Sequence, residues 1–290
     1  MRSGGSINVV PEAPARGRFA EWVPAAGGAV VCYTHLPARP ALAAVVVCAP
    51  LFREASENYR AELLLADALV ARGIAVQRFD YRGYGNSPGD ATDLTLGSAE
   101  EDCVLAGARL CQRAGTETIG VVGTRWGALV AAGAAVALGA QAVVFWEAKP
   151  DGRGYVDELV RTWSFNDLWN NRRQPSGYYQ QRLSAGHPFD VLGWRVAPRL
   201  VGSTVGESVA GRLTRSIPAR VVHGRGRHAD AERLTADLES IGCDVVASVL
   251  TERVLWWVGT NRLLRPEDPR SPLELEADAT ADWLAERLGA

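Results

Sequence analysis

An arginine stands between two glycines at the point where an apolar run gives way to a second, Ala-rich one. Residues 123–127 read Gly-Thr-Arg-Trp-Gly and follow the strand-like run 119–122. The guanidinium of Arg125 stays protonated, offers a planar set of N–H donors and cannot act as a nucleophile. A helix N-terminus at this position would favour negative charge as well. The residue type and its position predict that Arg125 holds a carboxylate or phosphate.

Two further ionisable side chains lie at the ends of strand-like runs. Glu147 follows the run 142–146, and His223 closes the run 219–223. A carboxylate and an imidazole are both able to move a proton, so the predicted catalytic residues are Arg125, Glu147 and His223. A second interpretation stays open, in which Glu147 is only the counter-ion of Arg125, because a buried guanidinium requires a partner.

Five other residues are predicted to surround a bound molecule: Leu51, Trp126, Trp163, His187 and Arg227. Arg227 would add positive charge from a neighbouring strand end. A nucleophilic role for Cys48 is an alternative, with simple burial of the thiol as the other interpretation. The sequence contains no cluster with the spacing of metal ligands and no glycine-rich loop of the dinucleotide or P-loop type. We therefore expect neither a metal nor a cofactor.

Apolar strand-like runs alternate with helical patterns along most of the chain. This alternation predicts an α/β fold, with a mostly parallel sheet flanked by helices on both faces. The predicted strands are 29–33, 43–48, 75–81, 119–122, 142–146, 219–223 and 244–250, and the predicted helices are 61–72, 99–114, 229–240 and 274–288. Ser98 and Glu101 have the spacing of a capping box for the second of these helices.

One long segment interrupts the alternation. Residues 151–215 are rich in Trp, Tyr and Phe and separate two strands of the predicted core. So long an excursion is uncommon unless it is functional, which predicts a helical cap, or lid, over the site. The aromatic residues are equally explained as the core of a small subdomain, and the two interpretations are compatible. The predicted core then comprises residues 1–150 and 216–290.

Two motifs resemble those of α/β-hydrolases. Residues 79–89, Phe-Asp-Tyr-Arg-Gly-Tyr-Gly-Asn-Ser-Pro-Gly, look like a turn that follows a strand in that superfamily, and residues 123–127 occupy the place of its nucleophile elbow, Gly-x-Ser-x-Gly. Within the superfamily the chain is most similar to serine-aminopeptidase-like proteins. More narrowly, it resembles hydrolase-like proteins associated with exosortase systems, which carry Gly-x-Arg-x-Gly at the elbow and a loop similar to residues 49–60. The resemblance implies the α/β-hydrolase fold with 151–215 as its cap.

The resemblance also implies a serine nucleophile, an acid and a histidine base, and the sequence departs from all three. Arg125 replaces the serine, and Arg227 stands where the acid is usual, with Asp230 nearby. The histidine should follow the last strand, yet His228 is the last histidine of the chain. Some α/β-hydrolases place the acid at the position of Glu147. An ordinary serine hydrolase is therefore not expected.

Two classes of function remain. The first is a non-serine enzyme, such as a lyase, a cyclase or an acyl-group-handling enzyme, acting on a small apolar ligand with an anionic group. The alternative is a catalytically inactive pseudo-hydrolase that serves as a ligand-binding or scaffold protein. Open space around Arg125 would favour the enzyme. A filled site with a neutralised Arg125 would favour the pseudo-hydrolase.

The composition is that of an ordinary soluble globular protein. Of 290 residues 47% are apolar and 22% charged, and the net charge of −2 argues against nucleic-acid binding through bulk charge. Five cysteines without a Cys-x-x-Cys pair indicate a reducing compartment. The charge-free run 126–146 is broken by Gly139 and Gln141, which favours a buried helix and strand over a membrane span. We expect a cytoplasmic protein with a small-molecule substrate or ligand, no nucleic-acid or membrane partner, and exposed cap residues as one route to a homodimer.

Overall fold

The computed structural model describes residues 17–172, 174–224, 226–250 and 271–290. The strands are β1 (Gly17–Ala25), β2 (Gly28–Leu36), β3 (Ala43–Cys48), β4 (Ile74–Asp80), β5 (Ile119–Thr124), β6 (Ala142–Trp146), β7 (Phe189–Val191), β8 (Trp194–Val196), β9 (Ala219–His223) and β10 (Val245–Val249). Within the described ranges eight of them form one sheet in the order β1-β2-β4-β3-β5-β6-β9-β10. The two pairings of β2 are antiparallel, and the others in this sheet are parallel.

The helices cover both faces of the sheet. They are α1 (Phe52–Ala71), α2 (Leu96–Ala114), α3 (Gly127–Ala137), α4 (Gly152–Trp169), α5 (Tyr178–Ser184), α6 (Pro198–Thr204), α7 (Val209–Arg212), α8 (His228–Ser240) and α9 (Pro272–Leu288). Helices α1 and α9 contribute to one buried apolar cluster, and α2, α3 and α8 contribute to the cluster on the opposite face. This arrangement confirms the predicted α/β fold with a mostly parallel sheet.

The central strands show why apolar runs in the sequence predict the strands of the sheet. Every residue of β3, β5 and β6 is buried, as expected for valine-rich parallel strands covered on both faces. The charge-free run 126–146 forms α3 and β6, and most residues of α3 are buried as well. No helix within the described ranges combines the length and apolarity that a membrane span requires.

Several predicted element bounds need correction. The sequence does not predict strand β1, because it is an edge strand in which apolar residues such as Trp22 occupy exposed positions and the polar Glu21 is half-buried. Helix α1 begins at Phe52 rather than at residue 61, since its first turns are polar. The capping box of α2 is formed by Thr95 and Ser98, so the predicted box of Ser98 with Glu101 is wrong.

Residues 151–215, called the cap from here on, contain α4, α5, α6 and α7 together with the β7–β8 hairpin. The predicted helical cap does not include this hairpin, which the structure adds. Helix α4 begins with the Asp151 side chain accepting a hydrogen bond from the Gly154 N–H at 2.7 Å. The first and last parts of the cap contact each other, since the Gly152 N–H donates to the Glu207 carbonyl oxygen at 2.8 Å.

The second motif, residues 79–89, forms a rigid turn after β4. The Asp80 carboxylate accepts hydrogen bonds from the Asn86 N–H and from the Tyr33 hydroxyl, both at 2.8 Å. A Cβ atom at Gly85 would lie 2.4 Å from that carboxylate, so this position requires glycine. The motif thus fixes the backbone beside the strand ends.

Candidate functional site

The elbow is a tight turn from β5 into α3. Arg125 has a φ of +56°, a left-handed conformation that a residue with a side chain adopts only at some cost. A Cβ atom at Gly127 would lie 2.2 Å from the Cys48 carbonyl oxygen, and one at Gly123 would lie 2.5 Å from the Gly127 carbonyl oxygen. The two glycines are therefore required for the strand and helix to approach, as the elbow pattern predicts.

The side chain of Arg125 is 2% exposed and is held by two carboxylates. Its Nε and Nη2 atoms donate to Glu54 Oε1 at 3.1 and 2.9 Å, and Nη2 also donates to Glu158 Oε1 at 2.9 Å. The guanidinium carbon lies 5.5 Å from the centre of the Tyr155 ring, within cation–π distance. Glu54 comes from the first turn of α1, whereas Glu158 and Tyr155 come from α4 of the cap.

The predicted pairing of Arg125 with Glu147 requires correction. Arg125 contacts Glu147 through the backbone, since its Nη1 donates to the Glu147 carbonyl oxygen at 3.3 Å. The Glu147 carboxylate forms an ion pair with Arg227 Nε at 2.9 Å and accepts a hydrogen bond from the Gly224 N–H. Glu147 is thus engaged with the turn after β9, and the carboxylates on Arg125 come from elements distant in the sequence.

Glu158 lies at the centre of a larger set of charges. Its carboxylate accepts from Arg227 Nη1 and Nη2 at 2.9 and 2.6 Å, and it pairs with Lys149 Nζ at 2.8 Å. Lys149 also pairs with Asp230 at 2.6 Å. We call these seven residues the charge network: Glu54, Arg125, Glu147, Lys149, Glu158, Arg227 and Asp230. Four carboxylates and three cations meet here, so the network compensates its own charge almost completely.

The network holds Glu158 and Arg125 in their ionised forms. Burial by itself would raise the pKa of Glu158, but hydrogen bonds and charges from Arg227, Arg125 and Lys149 hold that pKa well below the usual range. Burial would lower the pKa of Arg125, and the carboxylates of Glu54 and Glu158 outweigh it, so this pKa is raised. Glu158 and Arg125 are therefore charged throughout the physiological pH range.

His223 is the third predicted catalytic residue and lies at the end of β9. Its Nε2 is 2.8 Å from the Ala148 carbonyl oxygen, and its Nδ1 has no hydrogen-bond partner in the described part of the chain. The side chain is completely buried, and burial lowers its pKa although the Ala148 carbonyl and Glu147 oppose the shift. The ring is accordingly neutral at physiological pH.

The residues predicted to bind a ligand are divided among three environments. Leu51, Trp126 and Trp163 are almost completely buried. Trp126 donates from Nε1 to Thr204 Oγ1 at 3.1 Å, and Trp163 packs edge-on against Phe52 with ring centres 6.0 Å apart. Arg227 belongs to the charge network. His187 is exposed between α5 and β7. Their ligand-binding role stays a prediction.

Cys48, the last residue of β3, contacts the thiol of Cys103 in α2. Its sulfur lies 3.2 Å from that of Cys103, and both residues are completely buried. Burial raises the pKa of Cys48 well above that of an ordinary thiol. Because the thiolate is the reactive form, this environment disfavours the alternative of a nucleophilic cysteine. Across the described ranges, no group of three or more His, Cys, Asp or Glu residues is placed to hold a metal ion.

Comparison with known proteins identifies the fold. No protein-family model matches the chain, and no curated protein sequence matches it significantly. Among solved structures it is similar to Est1E from Butyrivibrio proteoclasticus with bound ferulic acid, at a TM-score of 0.67 and 18% identity, covering 93% of this chain and all of that one. A highly thermostable carboxyl esterase from Bacillus coagulans gives a TM-score of 0.63 at 15% identity, with 94% of this chain and 100% of that chain covered.

A proline iminopeptidase from Mycobacterium smegmatis gives a TM-score of 0.58 at 16% identity, over 93% of this chain and 99% of that one. At this level of sequence identity, structural similarity shows a shared fold and no more. All three similarities extend over nearly the whole chain. The protein has the α/β-hydrolase fold, as the elbow motif and the alternation of elements predict. Arg125 follows β5 at the elbow, and its correspondence to the nucleophile of that fold stays a prediction from the motif.

Four residues of the site escaped the sequence-based predictions: Glu54, Lys149, Tyr155 and Glu158. Glu54 belongs to a polar helical turn, and the sequence resemblance predicts a loop there. Glu158 lies between buried residues of α4, next to Leu159 and one turn after Tyr155. A glutamate beside buried residues of a cap helix is the signal that identifies it, because such a carboxylate requires a cationic partner.

Proposed function

We propose that the protein is a non-catalytic α/β-hydrolase-fold protein that acts as a binding or scaffold protein. One observation carries this proposal: the residue at the nucleophile position is an arginine, 2% exposed and held by Glu54 and Glu158. The anionic groups that the sequence assigned to a ligand of Arg125 are supplied by the protein itself. This favours the pseudo-hydrolase over the enzyme.

The energetics point the same way. An external carboxylate or phosphate would have to displace Glu54 or Glu158 from Arg125, and the displaced carboxylate would lose its ion pair with the guanidinium. Breaking one side of a buried ion pair costs about 3–5 kcal/mol, comparable to the binding energy of a weak ligand. The aromatic contacts of Trp126 and Trp163 support the proposal as well, since both rings are engaged in packing with the core and the cap.

A non-serine enzyme is the second candidate, and His223 is the observation that favours it. A neutral imidazole with an unpartnered Nδ1 among the described residues is able to accept a proton, and Glu147 lies at the end of the adjacent strand. In this case the reaction would not pass through a covalent serine intermediate. The substrate would belong to the small apolar anions that the sequence analysis predicts.

The experiment measures hydrolysis of short-chain p-nitrophenyl esters and labelling by a fluorophosphonate, a serine-directed reagent, in the wild-type chain. We expect background turnover and no serine adduct. An Arg125→Ser variant is compared with Arg78→Ser, which breaks the buried ion pair with Glu62 away from the elbow. A change seen only in Arg125→Ser is then due to the loss of Arg125 and not to the loss of a buried ion pair in general. A serine adduct that abolishes turnover would overturn the proposal. Turnover without an adduct, lost in His223→Gln, would establish the second candidate instead.

A further inference from the structure

The cap exposes three large apolar side chains at the C-terminal end of α4. Phe165, Leu168 and Trp169 are 62%, 60% and 79% exposed, and we call them the α4 patch. Their spacing of three and four residues places them on one helix face, and the Phe165 and Trp169 rings stack with centres 6.3 Å apart. Single exposed apolar residues are common on protein surfaces, whereas adjacent large ones indicate a contact surface.

Positive charge borders the α4 patch on both sides along the chain. Arg161 precedes Phe165 by one helical turn, and Arg172 follows Trp169 by three residues. Both are exposed, and neither has a carboxylate partner within the described ranges. The nearest exposed acidic residue along the helix, Asp157, lies a further turn before Arg161. The patch is therefore apolar at its centre and cationic at its ends.

A cleft adjoins the patch. It has a volume of about 540 Å³ and is lined by Leu168 of the patch, by Arg172, and by polar side chains that include Gln174, Ser176 and Tyr178. A guanidinium with neighbouring hydroxyl and amide donors is suited to a phosphate group. The apolar surface and these polar groups of the cleft are thus continuous at Leu168.

We propose that the α4 patch docks on the surface of an anionic phospholipid bilayer. Trp, Phe and Leu on one helix face, with arginines beside them, are the composition of helices that lie in the membrane interface. Phe165, Leu168 and Trp169 enter the headgroup region, and Arg161 and Arg172 bind lipid phosphates. This inference names the partner of the binding protein proposed above, and it rests on that proposed function. It replaces the expectation from the sequence that the protein has no membrane partner.

Other occupants fit the surface less well. A second copy of the chain would bring the arginines of two identical patches together, and like charges repel. A stable protein interface buries about 800 Å² on each partner, and three side chains on one helical turn offer only part of that area. A bilayer requires only shallow insertion, which so small a patch provides.

The experiment is co-sedimentation of the full chain with vesicles of phosphatidylcholine alone or mixed with phosphatidylglycerol. We expect binding to the anionic vesicles and weaker binding at high salt, since screening shortens the range of the arginine charges. Trp169→Ser and Arg161→Gln should each lower the partition coefficient about fivefold or more, the effect of about one charge near such a surface. The matched controls, Trp22→Ser and Arg18→Gln, change residues of β1 with 69% and 62% exposure and should bind like the wild type.

The inference would be overturned by no binding to anionic vesicles, by equal binding of Trp169→Ser and the wild type, or by a solution dimer that Trp169→Ser converts to a monomer. Binding of a protein partner through the α4 patch, together with no binding to vesicles, would also overturn the inference. Vesicle binding and fluorophosphonate labelling measure different properties. A serine adduct would therefore refute the non-catalytic function, and absent vesicle binding would refute only the partner.

Discussion

At the scale of single residues, Arg125 combines two costs that are tolerated only together with its partners. Its left-handed backbone and its burial both disfavour it at this position. Glu54 and Glu158 offset the burial because the planar guanidinium presents donors to both carboxylates at once. A lysine at this position would present a point charge and would not reproduce these contacts.

Glu158→Gln should reveal how much the ionised Glu158 carboxylate stabilises the fold. The substitution leaves Arg125, Arg227 and Lys149 with one carboxylate fewer, so the free energy of unfolding at pH 7 should fall by about 3 kcal/mol. The pKa of Glu158 is lowered in the folded chain, whereas an unfolded glutamate has a pKa of about 4.3. Above that pH the stabilisation is complete. As the pH falls below it, the unfolded state binds the proton first and the stabilisation is lost.

Urea unfolding of the wild type and the variant between neutral and acidic pH measures this effect. The difference in unfolding free energy should be largest above about pH 5 and should shrink below about pH 4. Glu101→Gln is the matched control, because Glu101 pairs with Arg82 at the surface with 72% of its side chain exposed. It should change stability by less than about 1 kcal/mol. A Glu158→Gln difference that does not vary with pH would contradict the ionised network.

The sequence located part of this site for a physical reason. Arg125, Glu147 and His223 each follow or end a parallel strand, and the carboxyl ends of such strands meet at one edge of the sheet. Glu54 and Glu158 lie in helices, where the rotation and packing of each helix decide which side chains meet. Those contacts span 71 and 33 residues, and local patterns carry no information about them.

At the scale of elements, the elbow requires glycine because α3 begins directly against the end of β3. Gly127→Ala should destabilise the fold by about 2 kcal/mol or more, since the added Cβ would lie 2.2 Å from the Cys48 carbonyl oxygen and the backbone would have to move. Gly97→Ala in α2 is the control, as its Cβ would have no neighbour closer than 3.9 Å. Alanine should be neutral or slightly stabilising there.

Thermal unfolding of the two glycine variants compares them directly. Equal melting temperatures would show that the end of β3 and the start of α3 are not in close contact.

The strands that the sequence predicts best lie at the centre of the sheet. Strands β3, β6 and β9 match their predicted bounds because they are short, apolar and buried on both faces. The sequence does not predict strand β1 because apolar residues occupy its exposed positions, and it does not predict the first turns of α1 because those turns are polar.

At the scale of the whole molecule, the cap is tied to the core at several separate points. Glu158 pairs with Arg125 and Arg227, and Thr204 accepts from Trp126. On another side of the cap, Arg212 pairs with Glu100 of α2. A cap that opens to admit substrate would have to break these contacts together. The charge network therefore holds the cap against the core. A cap held in this way agrees with a binding or scaffold role.

These ties predict that cap and core unfold in a single transition. Calorimetry of the wild type should give one peak whose calorimetric and van't Hoff enthalpies agree, because the free energy of the shared contacts is lost only when both parts unfold. In a Glu158→Gln, Arg212→Met double variant the cap should unfold first, at a lower temperature. Limited proteolysis would then cleave within residues 151–215 while the core remains intact. Two resolved transitions in the wild type would mean that the network does not couple the two parts, and the cap would then be free to move over the elbow as a lid.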